Sequence, residues 1–162
     1  MLIRDETNAD RSGVFEVHGA AFPTSGEAKL VDQLRADGDL VISVVAVHAG
    51  DILGHAAFSR MRAPFPALGL GPVGILPAHQ RRGLGAALIR AGLERAKQRG
   101  WEGVFVLGDP SYYERFGFTP ALASGFSCRY AGPHFMALPV NGDALPRPHG
   151  NVAYPAAFDS LD

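Results

Sequence analysis

The run Gln80-Arg81-Arg82-Gly83-Leu84-Gly85 combines the residue types that an anion site needs, at the spacing at which it needs them. Gly83 and Gly85 carry no Cβ, so a bound group can approach the backbone closely and unusual φ values are open to the loop. The segment that follows has helical periodicity. The loop therefore leads into a helix end where unpaired N–H groups and roughly +0.5 of a charge face outward. Arg81 and Arg82 stand beside those donors, and each charge-assisted hydrogen bond to a phosphate contributes about 1.5–3 kcal/mol. Together these features describe a cradle for a diphosphate, with Arg81, Arg82, Gly83, Leu84, Gly85 and Ala86 around it. The same letters also fit an ordinary amphipathic helix after a tight glycine turn, because two glycines alone are a weak signal.

A second glycine pattern, Gly69-Leu70-Gly71-Pro72-Val73-Gly74, matches the dinucleotide fingerprint letter by letter but fails its physics. That fingerprint must follow a strand and open a helix. Here Pro72 deletes a backbone donor, and Ile75-Leu76-Pro77 follows. The segment reads instead as a bulged strand whose distortion turns backbone N–H and C=O groups toward a ligand.

The elements that must hold these segments follow from periodicity and punctuation. An edge strand over residues 1–4 leads to a helix over about 10–21, capped by Thr7 or Asn8. Pro23 breaks it, and Ser25 starts a second helix with Ala28, Leu30, Val31 and Leu34 as its apolar face. Residues 40–47 and 52–59 form a hairpin around Ala49-Gly50-Asp51. A strand over 68–76 precedes the glycine loop. The helix over 83–98 then carries Leu84, Ala87, Leu88 and Ala91 as its buried stripe, widened by Leu93 and Ala96. A strand over 103–107, a short helix over 112–116 and strands over 126–130 and 134–140 complete a mixed α/β sheet. Residues 1–140 read as one domain, and 141–162 as a proline-containing tail packed on its surface through Tyr154, Phe158 or Leu161.

Composition narrows the class. Charged residues make up 19% of the chain and the formal net charge is −1, which argues against a general nucleic-acid binder. Cys128 is the lone cysteine, so no intrachain disulfide forms and a reducing compartment is expected. The N-terminal residues lack a secretory core, and no apolar run approaches the ~20 residues of a membrane span. A cytoplasmic protein is the expectation, working as a monomer or homodimer without a metal.

Two motifs carry a family resemblance. Gln80-Arg81-Arg82-Gly83-Leu84-Gly85 resembles the Gln/Arg-x-x-Gly-x-Gly/Ala signature of the GNAT superfamily of acyl-CoA-dependent N-acyltransferases, and Val73-Gly74-Ile75-Leu76-Pro77 precedes it as in that family. Downstream, Tyr113-Glu114-Arg115-Phe116-Gly117-Phe118 resembles the family's Tyr-Glu-Lys-x-Gly-Phe segment, and residues 106–113 are similar to its YhbS-type branch. The resemblance extends over residues 2–140. It implies the GNAT fold, a mixed sheet of about six to seven strands flanked by helices and splayed between its two central parallel strands. It also implies acetyl-CoA as cosubstrate, with direct attack on the thioester by a primary amine of a small molecule, peptide or protein. By position, Val73, Gly74 and Ile75 would pair with the pantetheine arm, residues 81–86 would bind phosphate, and Ser111 and Tyr112 would contact the cofactor.

Acyl transfer to an amine needs a neutral nitrogen, a polarised carbonyl and a protonated leaving group. Tyr113 matches the family's catalytic tyrosine, and a phenol of pKa near ~10 keeps its proton at neutral pH. The base is less legible. The strand over 103–107 lacks the carboxylate that some relatives carry, and the loop after it has Asp109 and Ser111 but no asparagine. Glu27, His55 or a water chain remain as bases. A lysine-like amine costs about 4–5 kcal/mol to neutralise at pH 7, an α-amine only about 1. A non-catalytic acyl-CoA sensor is the rival reading.

Overall fold

The computed structural model describes residues 1–161. In chain order the elements are β1 (Leu2–Asp5), α1 (Arg11–Ala21), α2 (Gly26–Ala36), β2 (Leu40–His48), β3 (Asp51–Arg60), β4 (Ala67–Ile75) and α3 (Leu84–Gln98). There follow β5 (Gly103–Leu107), α4 (Pro110–Tyr113), α5 (Pro120–Ala123), β6 (Phe126–Ser127), β7 (Phe135–Pro139) and β8 (Gly150–Asn151). Six strands make one mixed sheet in the order β1-β2-β3-β4-β5-β7, and β4–β5 is its parallel pair.

The hairpin forms as expected, because Ala49 and Gly50 both take positive φ, the backbone that a two-residue turn between twisted strands demands. On β3, residues 53–59 are buried without interruption. That pattern belongs to a strand covered on both faces, here by α1 and α3. Helix α3 meets the sheet through Leu84, Leu88, Ile89, Gly92 and Ala96. The seam is thus rotated from the expected stripe, with Ala87, Ala91 and Leu93 only half-buried. The reason is Gly92, where any Cβ would collide with the Phe58 ring, so the helix turns its glycine to the sheet and brings Ile89 in beside it.

Strands β4 and β5 pair only from Ala67↔Gly103 to Leu70↔Val106. Residues 71–75 of β4 continue with no register on β5, and this is the splay between the central parallel strands. At the same place the register against β3 steps from Phe58↔Leu70 to Ala56↔Val73, which is the bulge that Gly71-Pro72 imposes.

The C-terminal strands differ from expectation in part. Residues 126–130 supply only the two-residue β6, which pairs with β8 instead of joining the main sheet. Phe126 stacks edge-on to Phe105 at 5.3 Å and to Phe65 at 5.8 Å, so aromatic packing rather than strand pairing holds this segment. The tail buries Val152 and Ala157, bridges Arg62 through Ala153 and ends in a 3-10 turn, Ala156–Ser160, packed on α2.

Candidate active site

The glycine loop has the backbone of an anion nest. Arg81 (φ 64°) and Gly83 (φ 82°) both sit in the left-handed region. The first helical bond runs from Ala87 N–H to Gly83 O at 3.0 Å, so the amides of Leu84, Gly85 and Ala86 lie ahead of the ladder. Gln80 ties the loop to the end of β4, donating from Nε2 to Ile75 O at 3.0 Å. A Cβ on Gly83 would meet open space, and one on Gly85 would stand 3.4 Å from Tyr112 Oη. These residues border a cavity of about 390 Å³ that also touches Ile75, Tyr112 and Arg115. Arg115 is a cation not foreseen for this site. Its Nε donates to Tyr112 O at 2.8 Å and its guanidinium lies 4.3 Å from the Tyr112 ring centre, which holds it at the cradle's rim. Arg82 and Ser111 do not border this cavity. The Ser111 hydroxyl donates to Asp109 Oδ1 at 2.9 Å, so it serves the cap of α4.

A second cavity, of about 310 Å³, opens along Gly71, Pro72 and Val73. Tyr113 borders it while Tyr112 borders the cradle, so consecutive residues of α4 face the two cavities. Burial, and then the neighbouring Tyr112, push the Tyr113 phenol up to about 12. Its ring is seated on Gly108, where a Cβ would come within 2.5 Å of it, and edge-on to Phe118 at 5.9 Å. Glu27, in the first turn of α2, lines the same cavity, and its Oε1 is buried with no hydrogen-bond partner among the described residues. Tyr154, Phe158 and Leu161 of the tail form part of the wall, together with Tyr130. They read in the sequence as anchors. They do hold the tail, Phe158 and Leu161 against α2 and Tyr154 against Gly69 of β4, and they line the cavity as well; Tyr130 carries no signal beyond its aromatic type.

His55 borders neither cavity. It is fully buried, and both ring nitrogens are occupied: Nδ1 lies 2.8 Å from His18 Nε2 and Nε2 lies 2.7 Å from Ser43 Oγ. Ser43 Oγ donates to Glu6 Oε2 at 3.0 Å, and the other Glu6 oxygen accepts from Arg35 at 2.6 Å. A carboxylate only accepts, so this chain sets the tautomers. The Ser43 proton goes to Glu6, His55 Nε2–H donates to Ser43, and His18 Nε2–H donates to His55 Nδ1. His18 Nδ1 is left as a buried lone pair without a partner among the described residues, pressed against Gly74, where a Cβ would sit 2.6 Å away. Burial pulls His18 down to about 4. It lowers His55 well below the usual range as well, with His18 and then Arg35 adding to the effect. Among the described residues no group of three or more His, Cys, Asp or Glu is placed to hold a metal ion. None of their helices is long and apolar enough to cross a membrane.

A mixed sheet splayed beside a glycine-opened helix defines the class of the GNAT N-acetyltransferases, acyl-CoA-dependent transferases. The chain belongs to the acetyltransferase (GNAT) family, whose profile matches residues 11–118. It is 34% identical to YhbS of Escherichia coli K12, an uncharacterized N-acetyltransferase, over 98% of this chain and 99% of that one. It is 36% identical to a second such protein of that strain, YjhQ, over 77% of this chain and 74% of the other. The crystal structure of Escherichia coli YhbS in complex with CoA matches with TM-score 0.91 at 33% identity, covering 98% of this chain and 91% of that one. A GNAT family acetyltransferase from Brucella melitensis in complex with acetyl-CoA matches with TM-score 0.82 at 38% identity, covering 98% and 97%.

Proposed function

We propose that this chain transfers an acetyl group from acetyl-CoA to a primary amine by direct attack within a ternary complex. The observation that carries the reading is the unpartnered edge of β4 at residues 71–75, with the amide-lined cradle at one end and the Glu27–Tyr113 cavity at the other. In this reading the amides of residues 83–86, with Arg81, Arg82 and Arg115 nearby, take the diphosphate, and Tyr112 walls the cradle. Val73, Gly74 and Ile75 offer main-chain groups to the pantetheine arm, and one of their N–H groups polarises the thioester carbonyl.

Glu27 takes one ammonium proton and passes it to solvent, and the neutral amine nitrogen bonds to the carbonyl carbon. The C–S bond then breaks as Tyr113 gives its proton to the departing sulfur, and the second proton leaving the nitrogen restores the Tyr113 phenol through solvent. Glu27 is supported as the base by its unpaired oxygen in the cavity. For Tyr113, a phenol at about 12 facing a thiolate at its solution value of ~8.5 would make full transfer uphill by roughly 5 kcal/mol. The desolvation that lifts the phenol lifts a thiolate beside it in the same sense, so the pair titrates closer together than in water. Calorimetric titration with acetyl-CoA, followed by thiol release with an amine panel, tests the reading. Binding with turnover is expected; no heat with acetyl-CoA at millimolar concentration would end it.

A further inference from the structure

Resting on that reading, we infer that the acceptor is a small monoamine with an aromatic body and no carboxylate, an arylalkylamine. Three features of the 310 Å³ cavity converge on it. The first is charge. Among the described residues Glu27 is the sole acidic one bordering the cavity, and no lysine, arginine or histidine among them borders it. Glu27 Oε1, buried and unpartnered, is a ready counter-ion for an ammonium. The carboxylate of an α-amino acid would enter the same space with no cation among the described lining residues to meet it, and would stand beside a like charge.

The second is the wall. Phe22, Tyr130, Tyr154 and Phe158 present aromatic surface, with Tyr154 edge-on to Tyr130 at 5.5 Å and tilted on Phe158 at 5.0 Å. A ring joining this cluster gains edge-to-face contacts that a linear alkyl chain does not. The third is size. The volume lies at the small end of ligand pockets, and the tail's Tyr154, Phe158 and Leu161 border it, leaving room for a compact molecule rather than a polypeptide backbone. The ammonium sits on Glu27, the ring lies among the tail aromatics, and the amine loses its proton to the carboxylate that held it.

The test is kcat/KM with saturating acetyl-CoA for phenethylamine, phenylalanine, ethylamine and a lysine-containing peptide. Phenethylamine is expected to exceed phenylalanine by at least 100-fold and ethylamine by at least 10-fold, with the peptide below it. Phe158→Ala should shrink the phenethylamine-to-ethylamine ratio at least fivefold, and Phe158→Leu covers the case in which the smaller residue unfolds the tail. Equal or better turnover of phenylalanine or of the peptide, or an unchanged ratio in a folded Phe158 variant, would overturn this inference and leave the acetyltransferase reading standing. Failure to bind acetyl-CoA would remove both.

Discussion

Acid should unfold this protein earlier than its carboxylates alone require, and the reason lies in the buried histidine pair. In the unfolded chain a histidine titrates near ~6.5, whereas His18 in the fold stays neutral down to about 4. The unfolded state therefore binds a proton below pH 6.5 that the native state refuses, and stability falls as pH falls through that window. Stability from this source is fully present above about pH 6.5 and is lost progressively toward pH 4. For His18 alone, the difference between a proton bound at 6.5 and one bound at 4 amounts to roughly 2 kcal/mol by pH 5. His55 shifts the same way and adds its own proton to the slope. Each is held by the other and by what surrounds it. Ser43, Glu6 and Arg35 stand behind His55, while Phe22 and Gly74 cover His18, and among the described residues no anion is bonded to either ring. Asp10 is held down to about 2 by Arg4, so its contribution is lost only below about 3.8, outside the histidine window. The measurement is urea unfolding at half-unit steps from pH 7.5 to 4.5 for the natural protein and for His18→Gln, whose amide can still donate to His55 Nδ1. The natural protein should lose about 2 kcal/mol more than the variant between pH 7 and pH 5. Parallel curves would refute the reasoning, because they would mean that His18 is protonated in the fold or already suppressed without it.

Tyr113→Phe should lower kcat by at least ~10² while acetyl-CoA affinity stays within about threefold; unchanged turnover takes the acid role from this residue. Gly108→Ala places a methyl against the Tyr113 ring, so it should lower kcat with a stability loss of about 1–3 kcal/mol; a kinetically silent, fully stable variant would show that the ring needs no such seat. Gly85→Val fills the space between the cradle and Tyr112 Oη, and calorimetry should find acetyl-CoA binding weakened at least tenfold; native affinity would take the diphosphate elsewhere.

Much of the scaffold was legible because local letters and tertiary demands coincide. The face of α2 that the periodicity selects, Ala28, Leu30, Val31 and Leu34, is the face that is buried. The bulge could be read because Pro72 removes a donor in the middle of a strand. Helix α3 was read with the wrong rotation, since periodicity scores a glycine as empty whereas packing treats Gly92 as the place where Phe58 fits. The glycine loop was accessible through its local spacing, and Tyr113 through its resemblance to the family's Tyr-Glu-Lys-x-Gly-Phe segment. Arg115 and Gly108 were not, because one acts by stacking on Tyr112 and the other by what a side chain there would displace. Tyr130 and the tail aromatics meet Glu27 across more than a hundred positions of sequence, a proximity that no periodicity encodes.

The buried polar chain and the open strand edge are two parts of one arrangement. Beyond Leu70, β4 loses β5 as a partner, so residues 71–75 are held by β3 on one side and by whatever packs on their faces. A strand in that position drifts unless its faces are fixed, and a proposed site that depends on main-chain donors tolerates little drift. Gly74 lets the His18 ring sit directly on the backbone. His18 in turn is bonded to His55 on β3, the strand to which Gly74 is paired. Helix α1, β3 and the free stretch of β4 are thereby locked at one point by a hydrogen bond whose direction Glu6 sets through Ser43. An apolar contact would fill the same space without fixing a direction, and a larger residue at 74 would push the ring away. The orphan nitrogen of His18 is then a cost of about 1–3 kcal/mol, accepted where, in the proposed reading, the strand presents its edge to a ligand rather than to another strand.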